Sequence, residues 1–526
     1  MATALKDSLA NLNLTPTAAT TLLVLIPVSL LVVRQMFGSS SNLPTPPGTL
    51  PLIGSLRTLL PYLRDGRLVE FFADNQAALG VPLYNAALLG KLTPILSDPY
   101  EAKRLLTDTD TFVRSDTLEK LAQGVSKYAL FLLPTGPTWK RHRKLVQPGF
   151  APLHLRRTVP IATEFADRFV NVWTNLIALD EDIVIDLQHH VKCLTLDIIG
   201  MVAIGGHDFN ATPGLSTPAT VNAKTREMQA MEDLTDGMAK RYGSPPLVWT
   251  LLGVTEQKLK PYVDIVNQVA VNVVKRKREE ESRLDSTEEG KSAKEMDVLD
   301  RLLHPPSGDA LTEEEIVDEA HGFLMAGHET TSNAVLNALL FLMHNPDKRD
   351  KLVAEINDVL GKKGAPTWEN LSELKYLDSV VKETQRLSNS IGINPRTTIK
   401  DTTICGHFIP KGTEVILNIH SLHRDPAHWG PDADKFTPER WTDDPLAKEA
   451  EAKGAFIPFG AGEMMCVGFR MALIKIKVIL IRLLQNFTVE LLPAEKQKFK
   501  WSTHGVASTY KGGILVKVHA LEKLPQ

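Results

Sequence analysis

"FIPFGAGEMMCVGFR", residues 456–470, is the stretch whose reading decides the fold of this 526-residue chain. It carries Cys466 to the mouth of a helix through a loop with little side chain: Gly460 and Gly462 stand before the thiol and Gly468 after it. Downstream, Phe469, Ala472, Leu473, Ile476, Ile479, Leu480 and Leu483 recur at helical spacing. That pattern predicts a buried helix beginning near Gly468. A thiol at a helix N-terminus meets the positive dipole end and free backbone N–H groups, both of which favour thiolate. The glycines let the backbone approach a flat, bulky partner where a Cβ would collide.

A metal site built only from protein ligands needs three or four donors. No His, Cys, Asp or Glu lies between Cys466 and Glu490. One thiolate is enough where the metal brings its other ligands with it, as haem iron does. A buried structural cysteine would read the same way from this stretch alone.

The rest of the composition narrows the class. With 43% hydrophobic and 23% charged residues the chain can bury a large core, and a net charge of −3 argues against a nucleic-acid partner. Cys193, Cys405 and Cys466 are too few and too scattered for a disulfide framework, which fits a reducing compartment. His189, His190 and Cys193 invite a metal reading, but adjacent histidines point to different faces of a helix.

The N-terminus departs from this average. Thr15 to Val33 is a run of 19 residues without a charge, closed by Arg34. It meets the lower limit for a membrane span, roughly 17–25 residues. A cleaved signal peptide is the rival reading, since "GSSS" at 38–41 offers small residues, but Lys6 beside Asp7 makes a poor basic leader. Arg34, Arg57 and Arg64 follow the span, which places the bulk on the cytoplasmic side. The expected organisation is a tail and membrane anchor over 1–38, a proline-rich hinge over 39–58, and one domain over 59–526. Most of that domain reads as helical periods. Strand-like pieces such as "PLYNAALL" and "GTEVILN" are few, and the charged run 275–297 reads as a solvated helix end and loop.

One helix stands out. Thr312 and Glu315 form a capping box, apolar positions recur to Met343, and Pro346 stops the run. About 32 residues give a rod of roughly 48 Å. In its middle sits "AGHETTS", 326–332, the most polar stretch on its most apolar part. Gly327 and three consecutive hydroxyl residues weaken or compete with helix hydrogen bonds. A helix packed against a polar neighbour would show the same residues.

Taken together, these residues resemble a known family. "FGAGEMMCVG" resembles the cysteine loop of the cytochrome P450 monooxygenases, with Phe459, Gly462, Cys466 and Gly468 on its fixed positions. "AGHETT" resembles the oxygen-activating segment of that family's central helix. Glu383 to Arg386, "ETQR", resembles its Glu-x-x-Arg pair, and Arg440 in "PERW" supplies the partner arginine. "WKRHR" places Trp139 and Arg143, and "NPRTT" places Arg396, on positions that face the haem propionates. "LPTPPGTLPLIGS" resembles the hinge of membrane-anchored members.

The resemblance implies a mainly α fold, a helical haem domain with small β-sheets, plus an N-terminal transmembrane helix. It implies haem b with Cys466 as axial ligand, and a monooxygenase that inserts one atom of O2 into a lipophilic small molecule. Thr330 and Glu329 would relay protons. Ala326, residues 112–133 and Ile391–Asn394 would line the pocket, and Glu383, Arg386 and Arg440 would form a structural network. Electrons would come from NADPH–cytochrome P450 reductase, with a small b-type cytochrome as a further partner. Lys140, Arg141, Lys144, Lys475 and Lys477 would offer that reductase a basic docking face, though a simply solvated helix surface reads the same way. The implied location is the endoplasmic reticulum membrane, single-pass, with the catalytic domain cytosolic.

Two alternatives accompany this reading: a haem-thiolate isomerase or dehydratase acting on a peroxide, and a non-enzymatic membrane-anchored haem-binding protein. One position departs from the family pattern. Met464 stands where a basic residue usually pairs with a propionate, which predicts looser haem unless another cation compensates.

Overall fold

The computed structural model describes residues 42–521, apart from 51–53, 89–90, 243, 245, 247–248, 285–295, 306–309, 494–502, 505–506 and 509–511. Eight helices position the site: α1 (Pro137–Val146), α2 (Thr158–Leu179), α3 (Leu187–Val202), α4 (Arg226–Arg241), α5 (Glu256–Leu284), α6 (Glu313–His344), α7 (Lys375–Leu387) and α8 (Phe469–Asn486).

The predicted rod is α6, 32 residues long. Its capping box is formed: Glu315 N–H donates to Thr312 Oγ1 at 3.3 Å, and Thr312 N–H donates to Glu315 Oε2 at 2.8 Å. Glu313, Glu314 and Glu315 add negative charge at the positive end of the dipole. From Ala334 to Leu342 every residue is buried, because α6 packs against α3, α5, α7 and α8 around one continuous apolar core. Within that core Phe341 stacks on Phe436 with ring centres 4.7 Å apart. The helix expected near Gly468 is α8, for which Gly468 is the N-cap.

Five strands form the largest sheet: β1 (Leu83–Leu88), β2 (Lys91–Leu96), β3 (Phe112–Arg114), β4 (Ile393–Thr398) and β5 (Glu414–Asn418), in the order β1-β2-β5-β4-β3. β1 and β5 are the two strand-like pieces legible in the sequence. Antiparallel pairing of β3 with β4 sets Arg114 directly opposite Arg396. A three-stranded sheet joins Val184–Asp186, Leu515–Ala520 and Phe487–Leu491, and two small ribbons complete the described strands. The sheets are therefore more numerous than expected, since strands of two or three residues are too short to show an alternating pattern.

The charged run also differs from expectation. Lys277, on α5, is buried, and its ammonium reaches Asp297 at 2.6 Å and Asp300 at 2.5 Å. Burying these charges is tolerable because each is paired; Asp297 also caps the helix Val298–Leu303. Part of this run is thus an internal clasp, while residues 285–295 lie outside the described residues.

The proposed span 15–33 lies outside the described residues as well, and among the described residues no helix is long and apolar enough to cross a membrane. The described part of the proline-rich segment is held on the body. Leu43 is buried in a core cluster, and the Pro44 carbonyl accepts from Asn85 N–H at 2.8 Å.

Candidate active site

α6, α8, the cysteine loop and the β3–β4 edge of the sheet enclose a cavity of about 450 Å³. Cys466 lies on its wall, deep in the fold and open to the cavity rather than to the outer surface. The loop that holds it is tied by its own backbone: Cys466 N–H donates to the Phe459 carbonyl at 3.0 Å, and Met465 N–H donates to Gly462 at 3.1 Å. Gly462 has φ +70°, and a Cβ there would lie 2.7 Å from the Leu106 carbonyl oxygen, so any side chain would push the loop off its seat. Gly468 N–H donates to the Cys466 sulfur.

The electrostatics of the thiol add burial to the helix-start effect read from the sequence. Burial pushes the Cys466 thiol above its ordinary value, and Gly468 N–H, Arg143 and Lys475 only partly offset it. A helix start alone does not make a thiolate here. A bound metal ion would, because coordination deprotonates a thiol outright.

Across the cavity stands the polar stretch of α6, with Ala326, Gly327, Glu329 and Thr330 on the wall. Its hydroxyls turn back onto the helix: Thr330 Oγ1 donates to the Ala326 carbonyl at 2.7 Å, and Thr331 Oγ1 to that of Gly327 at 3.0 Å. Gly327 admits α3 closely, since a Cβ would stand 2.6 Å from Ile199 Cδ1. Glu329 is buried, with Oε1 3.7 Å from Lys192 Nζ; Lys192 in turn lies 3.2 Å from Glu232, which meets Lys224 at the surface. The polar stretch thus faces the cavity with one side and a buried ion-pair chain with the other.

Three cations converge on the opposite rim. Arg396 and Arg114 face each other across β3 and β4, and the pair, with Arg143, lines the cavity. Burial and the charges of Arg396 and Arg143 hold Arg114 down to about 9, and burial holds Arg396 down to about 10. Arg114 donates to the Leu130 carbonyl at 3.0 Å and to that of Leu133; Arg143 donates to the Met465 carbonyl at 2.9 Å. No carboxylate among the described residues pairs with any of the three, and Arg143 Nε is buried without a partner. Like charges directly opposite across a sheet repel, so this rim is built for an anion.

These features fit haem. A thiol on one wall, a glycine-seated loop beneath, and unpaired cations at the rim match an iron porphyrin with two carboxylates. Trp139 is buried on the same wall. Arg114 is the residue that sequence reading did not single out. Its signal, a basic residue at the start of the expected pocket segment 112–133, becomes visible only when β3 pairs with β4. Met464 also lines the cavity, its sulfur accepting from Thr135 Oγ1 at 3.7 Å.

The Glu-x-x-Arg pair lies away from the cavity thiol. Arg386 Nε donates to Glu383 Oε2 at 2.8 Å and its Nη2 to Oε1 at 2.9 Å, while Arg440 Nε reaches Oε1 at 2.9 Å. Trp441 Nε1 and Thr437 N–H also donate to Glu383, at 3.0 and 2.9 Å. Arg386 extends to the carbonyls of His423 and Ala433. All three charged residues are buried. His423 then accepts at Nε2 from Ile457 N–H at 2.9 Å, nine residues before Cys466, which joins the network to the cysteine loop.

Other expected features are placed differently. Of the basic docking face, Lys140 and Lys144 are exposed on α1, Arg141 is paired with Glu315, and Lys477 with Asp378. Lys475 is buried, because its position on α8 faces α6 and not solvent. His189 and His190 spend Nε2 on the carbonyls of Ala223 and Val221. The pocket wall gains Thr235, Met238 and Ala239 from α4, residues no sequence signal marked.

A family model described as cytochrome P450 matches residues 44–517. Among curated relatives, cytochrome P450 3A13 of Mus musculus is 30% identical over 386 residues, covering 72% of this chain and 73% of that protein. Cytochrome P450 97B2, chloroplastic, of Glycine max is 27% identical over 508 residues, covering 87% and 85%. The 11-oxo-beta-amyrin 30-oxidase of Glycyrrhiza uralensis is 27% identical over 412 residues, covering 76% and 74%.

Proposed function

This chain belongs to the cytochrome P450 family, and from that premise we propose a monooxygenase that hydroxylates a lipophilic small molecule with electrons from a separate NADPH-dependent reductase. The family binds haem through an axial cysteine thiolate and incorporates oxygen. The observation that carries the reading is the cavity with Cys466 on one wall, Thr330 facing it, and unpaired arginines at the rim.

In this reading Cys466 holds the iron, while Arg114, Arg143, Arg396 and Trp139 hold the propionates, and Phe459, Gly462 and Gly468 shape the seat. When bound, the haem supplies the oxygen-binding iron and the oxidising power for attack on an unactivated C–H bond. Leu118, Leu121, Phe131, Ile391 and Ala326 line a mostly apolar wall that excludes water and holds an apolar substrate by burial. Ile391 to Asn394 add a polar edge through Asn394, with Asn389 and Ser390 beside it. Thr330 Oγ1, released from Ala326, can donate a proton into the cavity, and Glu329, beside it, can resupply it once it has left Lys192 and taken up a proton from water. Glu383, Arg386 and Arg440 act at a distance, by fixing the support of the cysteine loop.

Residues 1–38 serve as an anchor in the endoplasmic reticulum membrane and 39–58 as a hinge, with 59–526 as the cytosolic catalytic domain. Asn210 is exposed and begins an Asn-x-Thr sequon; a cytosolic domain leaves it unglycosylated. Reconstitution with the reductase in the presence of NADPH tests the activity: oxygen consumption should yield a hydroxylated product from at least one member of a panel of terpenoids, sterols and fatty acids. Binding of haem with no NADPH-driven product from any class would contradict the reading.

A further inference from the structure

The polar turn of α6 is gripped from outside through its backbone. Lys475 Nζ of α8 donates to the Gly327 carbonyl at 2.8 Å, and Thr195 Oγ1 of α3 donates to that of His328 at 3.1 Å. From the segment between α7 and β4, Ser390 Oγ donates to the carbonyl of Thr330 at 2.9 Å. Ser390 and Thr330 both lie on the cavity wall. This hydrogen bond joins the edge of the pocket to the residue read as the proton donor, and the relay itself makes no use of it.

The segment that carries Ser390 is held independently of that bond. The Leu387 carbonyl, at the end of α7, accepts from Arg424 Nη2 at 2.6 Å, and the Gly392 carbonyl accepts from His420 N–H at 3.2 Å. Asn337 Nδ2 donates to Ser388 Oγ at 2.6 Å. A fixed segment can hold a helix turn in place, whereas a loose one would follow it. The turn needs holding because of its own threonine. A helical threonine has two accessible χ1 rotamers, since its hydroxyl can bond back to the preceding turn, as Thr330 does to Ala326. Such back-bonding bends a helix slightly, so releasing the hydroxyl lets the backbone of the turn shift. Ser390 grips the carbonyl of the same residue and opposes that shift.

We propose that Ser390 is a positioning residue: it fixes the backbone of Thr330, so that the Thr330 hydroxyl turns from Ala326 toward the cavity without the helix moving. The inference rests on the reading of Thr330 as proton donor, and its test separates the two.

The native holoenzyme is compared with Ser390→Ala, Ser390→Thr, Thr330→Ala and the variant that combines Ser390→Ala with Thr330→Ala. Amide hydrogen exchange over residues 326–338 reads the backbone. The infrared stretch of carbon monoxide on the reduced haem reads the donors on the wall across from Cys466. Ser390→Ala should exchange about fivefold faster over that stretch, the effect of losing one hydrogen bond. Its carbon monoxide band should broaden, because the Thr330 hydroxyl then samples several positions. Ser390→Thr keeps the donor and should match the native protein in both. With Thr330→Ala already present, Ser390→Ala should still speed exchange about fivefold, but should leave the band where Thr330→Ala alone puts it.

A native exchange rate in Ser390→Ala would overturn the inference. Faster exchange with an unmoved band would do the same, by reducing Ser390 to a structural bond. A band moved equally by Ser390→Ala with and without the Thr330 hydroxyl would overturn the route through Thr330, placing the effect on the cavity directly. A band that Thr330→Ala leaves unchanged, in a protein where Ser390→Ala speeds exchange, would locate the failure in the reading of Thr330 as donor, and the inference would fall with it.

Discussion

The hydroxyl of Thr330 donates to the carbonyl of Ala326, one helical turn back along α6, at 2.7 Å on the cavity wall. That bond is local to the helix, so removing it leaves the core undisturbed. Thr330→Ala should retain haem and substrate binding but lose product by roughly 10²-fold, with electrons from NADPH ending in peroxide or water. Product and NADPH measured together check this. Unchanged coupling would mean that another group delivers the protons.

Arg114 lines the cavity and is the cation proposed to compensate for the absent basic residue at 464. It faces Arg396 across the sheet and has no carboxylate partner among the described residues. Losing a charge-assisted hydrogen bond costs about 1.5–3 kcal/mol. Arg114→Met should therefore speed haem transfer to apo-myoglobin by about ten- to a hundredfold, and Met464→Arg should change it far less. A fast native rate slowed strongly by Met464→Arg would show that Arg114 does not fill the role.

How much of this was legible in the sequence depends on the range of the interaction. The capping box at Thr312 and the start of α8 at Gly468 are local, and both stand where they were read. The Glu-x-x-Arg pair is also local, but its meaning is not: only the fold brings Arg440, Trp441 and Thr437 to Glu383. Arg114 and Lys475 were illegible for the same reason. One gains its place from strand pairing 282 residues away in sequence, the other its burial from helix packing. Lys475 read as surface because a lysine ordinarily is. The Gly468 N–H at the start of α8 does favour the Cys466 thiolate, as the helix end visible in the sequence implies; the depth of burial that opposes it is not visible there.

His423 makes the cysteine loop sensitive to acid. Burial, reinforced by Arg386, holds its ring down to about 3, and Nε2 accepts from Ile457 N–H. In the unfolded chain the ring titrates near its ordinary 6.5, so between pH 6.5 and 3 the unfolded state binds the extra proton. Stability is therefore full above about pH 6.5 and falls as pH drops, by about 1.36 kcal/mol per unit for this group. His423→Gln retains an acceptor and removes the proton. Its unfolding free energy should fall less steeply across pH 6.5 to 4.5, by about one proton; buried His190 and His321 titrate in the same sense, so a slope remains. Identical slopes would contradict the assignment.

The central claim is that Cys466 alone supplies the thiolate to iron, and the carbon monoxide difference spectrum of the reduced protein tests it most directly. The native protein should show the far-red-shifted Soret band of thiolate-ligated haem, and Cys466→Ser should abolish that band while the folded protein retains its helical content. A Cys466→Ser protein that keeps the band, or a native protein that never shows it, would contradict the account.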